Sequence, residues 1–168
     1  ITAEDVGMST TEMVNIRKET SYVAGLPEEM GGSGDPSPVT AFGVYCGLKA
    51  AAKAAYGSDV LSGRKVAIQG AGNVGKGLAA LLVKDGATVY LTDIHEDKLT
   101  AIKAEFPSIN IVEPDAIYDV DMDIYSPCAL GATVNDLTLK RLTCSVIAGA
   151  ANNQLADEAV HGKLVMEK

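Results

Sequence analysis

One stretch constrains this chain more than any other. Lys65-Val66-Ala67-Ile68-Gln69 is a short apolar run suited to a buried strand, and Gly70-Ala71-Gly72-Asn73-Val74-Gly75 follows it without a break. From Asn73 to Lys84 the spacing of Leu78, Leu81 and Leu82 predicts a helix, closed by Asp85-Gly86. Thr88 to Thr92 then predicts a second strand. Glycines at this spacing occur in many loops, so the spacing alone says little. A strand before them, a helix opening on them and a second strand completing a unit of roughly 30 residues make the pattern specific for dinucleotide binding. Each glycine has its own task. Gly70 permits the tight turn, Gly72 lets a diphosphate approach the backbone, and Gly75 lets the helix pack closely on the strand. The first N–H groups of the helix, at Asn73 and Val74, and the positive end of its dipole would face that diphosphate.

Asp93 stands 18 residues beyond Gly75, at the end of the second strand. A carboxylate there accepts hydrogen bonds from the adenosine ribose hydroxyls. It would repel a 2′-phosphate, and neighbours Thr92, Ile94 and His95 include no arginine to offset it. The pattern therefore favours NAD over NADP. The plainer alternative is an ordinary turn at Gly70–Gly75 with Asp93 capping the next helix, and capping is compatible with ribose binding.

The rest of the chain continues the alternation. Helix is expected at Glu96–Glu105, stopped by Pro107, and near Asp136–Leu142 and Leu155–His161. Strand is expected at Asn110–Val112, Asp123–Ser126 and Ser145–Ala148. Strands alternating with helices imply an α/β fold of Rossmann type, a doubly wound parallel sheet with helices on both faces. An alanine-rich helix, Val39–Tyr56, ending at Gly57, precedes the sheet. Ahead of it, a short helical pattern at Met13–Thr20 leads into the turn-dense loop Gly31–Pro38. The expected division is a lead-in or hinge segment at 1–38 and an NAD-binding Rossmann domain at 39–168.

Charge and composition narrow the partners. A net charge of −8 offers no basic field for nucleic acid or an anionic membrane surface. No apolar run approaches the ~20 residues that span a bilayer. Cys46, Cys128 and Cys144 are odd in number and scattered, and only two histidines accompany them, His95 and His161. Neither a disulfide framework nor a metal site fits, whereas a reducing cytoplasm does. Cys128 reads as a small buried hydrophobe, and both histidines as surface residues. The start at Ile1, with no Met and no leader pattern, reads as a cut into a longer chain.

Further segments carry a resemblance. Thr2-Ala3-Glu4-Asp5-Val6-Gly7, Pro36-Ser37-Pro38-Val39-Thr40-Ala41-Phe42-Gly43-Val44-Tyr45, Tyr125-Ser126-Pro127-Cys128-Ala129-Leu130-Gly131 and Ala148-Gly149-Ala150-Ala151-Asn152-Asn153-Gln154-Leu155 surround the glycine turn in order. Together they resemble the glutamate/leucine/phenylalanine/valine dehydrogenase family, the leucine type above all. The resemblance covers essentially the whole chain. It implies reversible NAD-dependent oxidative deamination of an L-amino acid, of leucine or branched-chain type, to the 2-oxo acid and ammonia. It also implies a small amino-acid substrate and a cytoplasmic homo-oligomer in the full-length enzyme.

Position by position, the resemblance makes Asp5 the catalytic aspartate that moves protons beside an essential lysine. Ala3 would line the pocket for the substrate side chain, and Thr40 would lie near the nicotinamide. Cys128 and Ala129 would let the backbone pass close to the cofactor. Asn153, with Asn152 beside it, would link nicotinamide and substrate. Residue type alone leaves plainer roles open: Asp5 as a loop acid or helix cap, and Asn152 and Asn153 as turn or cap residues. The glycine-rich, lysine-bearing substrate motif of the family is absent, and Lys49, Lys53 and Lys65 stand in unrelated contexts. Hence the chain reads as the cofactor-binding portion of a larger enzyme, without deaminating activity by itself. Two alternatives are a stand-alone NAD-binding or redox-sensing module, and the same domain of a phenylalanine or valine dehydrogenase.

Overall fold

A computed structural model describes residues 1–5 and 7–167. Val6, within the N-terminal string quoted above, and Lys168 lie outside the described residues. The chain forms two compact units, Ile1–Val39 and Thr40–Lys168.

In the first unit, helix α1 (Thr10–Arg17) starts from a capping box. The Ser9 side chain accepts the Thr11 N–H at 3.2 Å, while Glu12 accepts the Ser9 N–H at 2.8 Å. Two orphan donors of the first turn are thereby satisfied. The helix begins earlier than Met13 because this box, rather than apolar spacing, sets its start. Thr2 bridges Val23 in parallel, and the Ala24 N–H donates to the Thr2 carbonyl at 2.8 Å. A 3-10 turn at Glu28–Met30 leads into the glycine-dense loop, which closes on itself where the Gly34 N–H donates to the Leu26 carbonyl at 2.9 Å.

Helix α2 (Ser37–Tyr56) leads into the second unit, where five strands form a parallel sheet. They are β1 (Lys65–Gln69), β2 (Thr88–Thr92), β3 (Asn110–Ile111), β4 (Ile124–Pro127) and β5 (Val146–Ile147), in spatial order β3-β2-β1-β4-β5. Helices α3 (Asn73–Lys84), α4 (Glu96–Glu105), α5 (Thr138–Arg141) and α6 (Glu158–Glu167) fall between or after them. The order reverses at β1, so the ends of β1 and β4 flank a crevice of the kind where such folds bind ligands.

Strand alternation sorts the core into two layers. Val66 and Ile68 of β1 and Ile124 of β4 pack with Leu48 of α2, Leu78 and Leu82 of α3, and Leu99 and Ile102 of α4. Ala67 and Tyr125 point to the other face, among Ile117, Met122, Leu139 and Leu142. Each such fully buried Leu or Ile contributes ~1.5–3 kcal/mol. Central strands covered on both faces read as continuous apolar runs, which is why β1 was legible.

Three expectations need correction. The last helix does not span Leu155–His161. Leu155 is held extended by a bridge to Val134, and Asp157 caps a helix starting at Glu158 by accepting the Val160 N–H at 3.1 Å. The helix near Asp136–Leu142 is only Thr138–Arg141, because the Asn135 Oδ1 accepts the Leu137 and Thr138 N–H groups at 3.0 and 3.1 Å. His161 is not a surface residue. It is 5% exposed, its Nδ1 accepts the Asp157 N–H at 2.9 Å, and its Nε2 lies 3.5 Å from Asp136 Oδ1.

Candidate dinucleotide site

The three glycines of the turn face different surroundings. Gly70 has φ +109°, a region closed to most L-residues, and a Cβ there would lie 2.8 Å from the Cys128 carbonyl carbon and oxygen. A Cβ at Gly75 would lie 1.9 Å from the Gly70 oxygen, so α3 sits hard against the turn. At Gly72 nothing lies within 4 Å of the corresponding position, and the turn is open on that side. The first i→i−4 bond of α3 runs from the Lys76 N–H to the Gly72 carbonyl at 2.8 Å. The N–H groups of Asn73, Val74 and Gly75 precede it, and Gly72 supplies no side-chain cap. Donors, dipole and open backbone meet at one place, which suits the diphosphate of a dinucleotide.

Asp93 lies at the end of β2, beside this turn. One carboxylate oxygen accepts the Ala71 N–H at 2.6 Å and the other accepts the His95 N–H at 2.9 Å. Two of its roughly four acceptor positions are thus used and two remain. His95, not Asp93, occupies the cap position of α4. Asp93 borders a cleft of about 480 Å³ at the ends of β2 and β3, walled by Ile94, Ile111 and Val112. Its charged lining is Asp93, Glu96 and Glu113 against Lys103, whose ammonium donates to the Pro107 and Ile109 carbonyls at 2.8 and 2.5 Å. Apolar walls beside a carboxylate with two acceptor positions still unused fit an adenosine moiety, and the acidic excess disfavours an added phosphate there.

On the other side of the crevice the Cys128 N–H donates to the Gln69 carbonyl at 2.7 Å, joining the ends of β1 and β4. Burial pushes the Cys128 thiol up, so it stays protonated and a poor nucleophile. The adjoining Ala129 is exposed. Asn152 and Asn153 occupy a turn after β5, three or more residues short of the α6 cap, so they do not cap that helix. The Asn153 carbonyl accepts the Ala132 N–H at 2.6 Å. Thr40 lies in the first turn of α2, next to Ala41, whose Cβ would be 3.0 Å from a Cβ placed on Gly77 of α3.

Asp5 and Ala3 belong to the first unit, and both are exposed. The Asp5 carbonyl accepts the Met8 N–H at 2.9 Å. Ser9 caps α1, so Asp5 is not its cap residue. Beside it, Glu4 is raised above the usual carboxylate range by desolvation first and by the Asp35 charge second.

Sequence reasoning passed over several residues around the crevice. Gln69 accepts a hydrogen bond from the buried Tyr125 hydroxyl and donates to the Tyr118 hydroxyl at 2.9 Å. Lys103, Gly131 and Ala132 were also missed. No sequence pattern marks them, because their partners, 4 to 56 positions away, lie in other elements or loops. Among the described residues no group of three or more His, Cys, Asp and Glu side chains could hold a metal ion.

Residues 42–151 match the family model described as S-adenosyl-L-homocysteine hydrolase, NAD binding domain. Leucine dehydrogenase of Thermoactinomyces intermedius is 52% identical over 168 residues, covering 100% of this chain and 45% of that enzyme. Leucine dehydrogenase of Bacillus subtilis is 52% identical over 167 residues, 99% of this chain and 45% of that enzyme. The crystal structure of L-tryptophan dehydrogenase from Nostoc punctiforme superposes with a TM-score of 0.80 at 39% identity, covering 99% of this chain and 46% of that one. The chain therefore spans about half the length of the relatives it matches.

Proposed function

This chain belongs to the NAD-binding-domain family whose model spans its residues 42–151 and is similar from end to end to leucine dehydrogenases, and on that premise we propose that it is the cofactor-binding portion of an NAD-dependent L-amino-acid dehydrogenase. The reaction is reversible oxidative deamination of leucine or another branched-chain amino acid to the 2-oxo acid and ammonia, by a cytoplasmic homo-oligomer. Among the described residues no helix is long and apolar enough to cross a membrane.

One observation carries the cofactor half of this reading. The turn is closed by backbone at Gly70 and Gly75 and open at Gly72, with the Asp93 carboxylate fixed beside it at 2.6 Å from the Ala71 nitrogen. Similarity along this whole chain to leucine dehydrogenases, 52% identical over 45% of each enzyme's length, supports the substrate half.

When bound, the nicotinamide supplies the hydride acceptor for the α-carbon of the amino acid. The chain's residues hold and orient it. The N–H groups of Asn73, Val74 and Gly75 hold the diphosphate, and the two unused acceptor positions of Asp93 hold the ribose hydroxyls. Ile94 and Ile111, which line the cleft beside Asp93, would offer the adenine an apolar wall. Cys128 and Ala129 let the backbone pass beside the cofactor, while Thr40 and Asn153, with Asn152 adjacent, orient the nicotinamide end. Asp5 moves a proton between the substrate amine and water, with Ala3 leaving room for a branched side chain. We assign residues 1–38 to the lead-in between substrate and cofactor halves and residues 39–168 to the cofactor domain.

Two assays test the reading. NADH titrated into the chain should bind with saturation, and no binding would remove the cofactor assignment. The full-length enzyme should produce NADH from leucine and NAD, and inactivity with every apolar L-amino acid would remove the dehydrogenase assignment.

A further inference from the structure

Ala132 is the only non-glycine residue with positive φ among the described residues, at φ 63°. An L-residue held in the left-handed region is strained and persists only where its surroundings over-determine it. They do so here. The Ala132 N–H donates to the Asn153 carbonyl at 2.6 Å, and the Ala132 carbonyl accepts from the Asn135 Nδ2 at 3.1 Å. Asn135 is itself fixed, because its Oδ1 holds the first N–H groups of α5. The Val134 N–H donates to the Gln154 carbonyl at 2.9 Å, and the Ala156 N–H returns to the Val134 carbonyl at 2.9 Å.

Next to Ala132, Gly131 makes the tightest approach of the two loops. A Cβ on Gly131 would lie 1.9 Å from the Asn153 side-chain Oδ1 and 2.3 Å from its backbone oxygen. Only glycine leaves space for the carboxamide in that place. The far end of the Asn153 loop is closed in the same manner. A Cβ on Gly149 would lie 2.2 Å from the Pro127 oxygen, and the Ala151 N–H donates to that oxygen at 3.0 Å. The loops after β4 and β5 are thus interlocked around the backbone of Asn153, and its carboxamide oxygen, on an exposed residue, is seated against the bare Cα of Gly131.

We propose that Gly131 and Ala132 are positioning residues that clamp the Asn153 carboxamide in one orientation for the nicotinamide end of the cofactor. The inference rests on the NAD reading above. It places a strained residue and an obligatory glycine in the service of one side chain, through the Gly131–Asn153 approach and the Ala132–Asn153 hydrogen bond. A clamped carboxamide loses little side-chain freedom on binding, so its hydrogen bond to a ligand is worth more.

The test compares NADH with ADP-ribose, which shares the adenosine and diphosphate but has no nicotinamide. Both are titrated calorimetrically into the chain, wild type and Gly131→Ala. Gly131→Ala is expected to weaken NADH about tenfold, the scale of one lost hydrogen bond, and to leave ADP-ribose within twofold. A purely structural clamp would weaken both ligands together. Equal losses, or unchanged NADH affinity, would overturn the proposal. Should Gly131→Ala fail to fold, Asn153→Ala decides, since it introduces no clash. The same split is expected, and its absence overturns the proposal. A wild-type chain that binds neither ligand would instead overturn the NAD reading itself.

Discussion

The Asp93 carboxylate accepts the Ala71 backbone N–H at 2.6 Å, tying the end of β2 to the glycine turn that leaves β1. One side chain therefore shapes the phosphate turn and presents charge to the ribose. The two jobs separate by mutation. Asp93→Asn keeps an acceptor oxygen for the turn but removes the charge, so NADPH should gain on NADH while NADH binding stays within a few-fold. Asp93→Ala removes both and should weaken NADH by about 10–100-fold, as expected for lost charge-assisted hydrogen bonds. Titration of the two variants with both nucleotides checks this, and identical behaviour of Asn and Ala would refute the double role.

Gly72 and Gly75 should respond oppositely to substitution. Gly72 faces open space, so Gly72→Val should keep the melting temperature within a few degrees yet abolish measurable NADH binding. Gly75→Ala drives a Cβ to 1.9 Å from the Gly70 oxygen and should cost about 1–3 kcal/mol of stability, the scale of core overpacking. Thermal melts beside NADH titrations distinguish the two. Wild-type NADH affinity in Gly72→Val would reduce the glycines to an ordinary turn.

Acid should loosen the second unit at Arg141. Its guanidinium bonds Asp115 at 2.9 Å and Asp119 at 2.8 Å and holds both carboxyls below the usual range. With folded pKa values depressed, these groups stabilise the fold above their unfolded pKa of about 3.9 and lose that contribution as pH falls through the folded values. Arg141→Gln should therefore be less stable than wild type at pH 7, and the gap should close as the pH drops below the ordinary aspartate value of about 3.9 and through the depressed folded values. All the ion-pair partners are partly or largely exposed, so high salt should also narrow the gap. Denaturant melts across pH 2–7 measure it, and a gap that widens in acid would contradict the assignment.

Asp5 is tested in the full-length enzyme. As a proton-transfer group, Asp5→Asn should leave NADH binding nearly unchanged and lower kcat by about 10²–10⁴-fold. A kcat within a few-fold of wild type would demote Asp5 to a loop acid.

Sequence alone carried the frame of the site further than its detail. The bounds of β1, α3, β2 and α4 agree with the periodicity residue for residue, since a strand buried on two faces and an amphipathic helix each leave a local pattern. At the other end of the sheet, β5 has two residues and α5 four, too short to print a period. There side-chain caps from Asn135 and Asp157 set the boundaries, and the helix expected at Leu155–His161 was misplaced. His161 looked like a surface residue because its burial comes from tertiary packing and not from its neighbours in sequence. Gly70, Gly72 and Gly75 had distinct roles readable from spacing. Gly131 did not, because its reason is Asn153, a side chain from another loop.

The most direct test of the central claim is calorimetric titration of the wild-type chain with NADH and with NADPH at one ionic strength. Asp93 beside an acidic cleft should make NADH the tighter ligand by at least about tenfold. Equal affinity, or preference for NADPH, would contradict the account of Asp93 and with it the assignment of this turn to NAD.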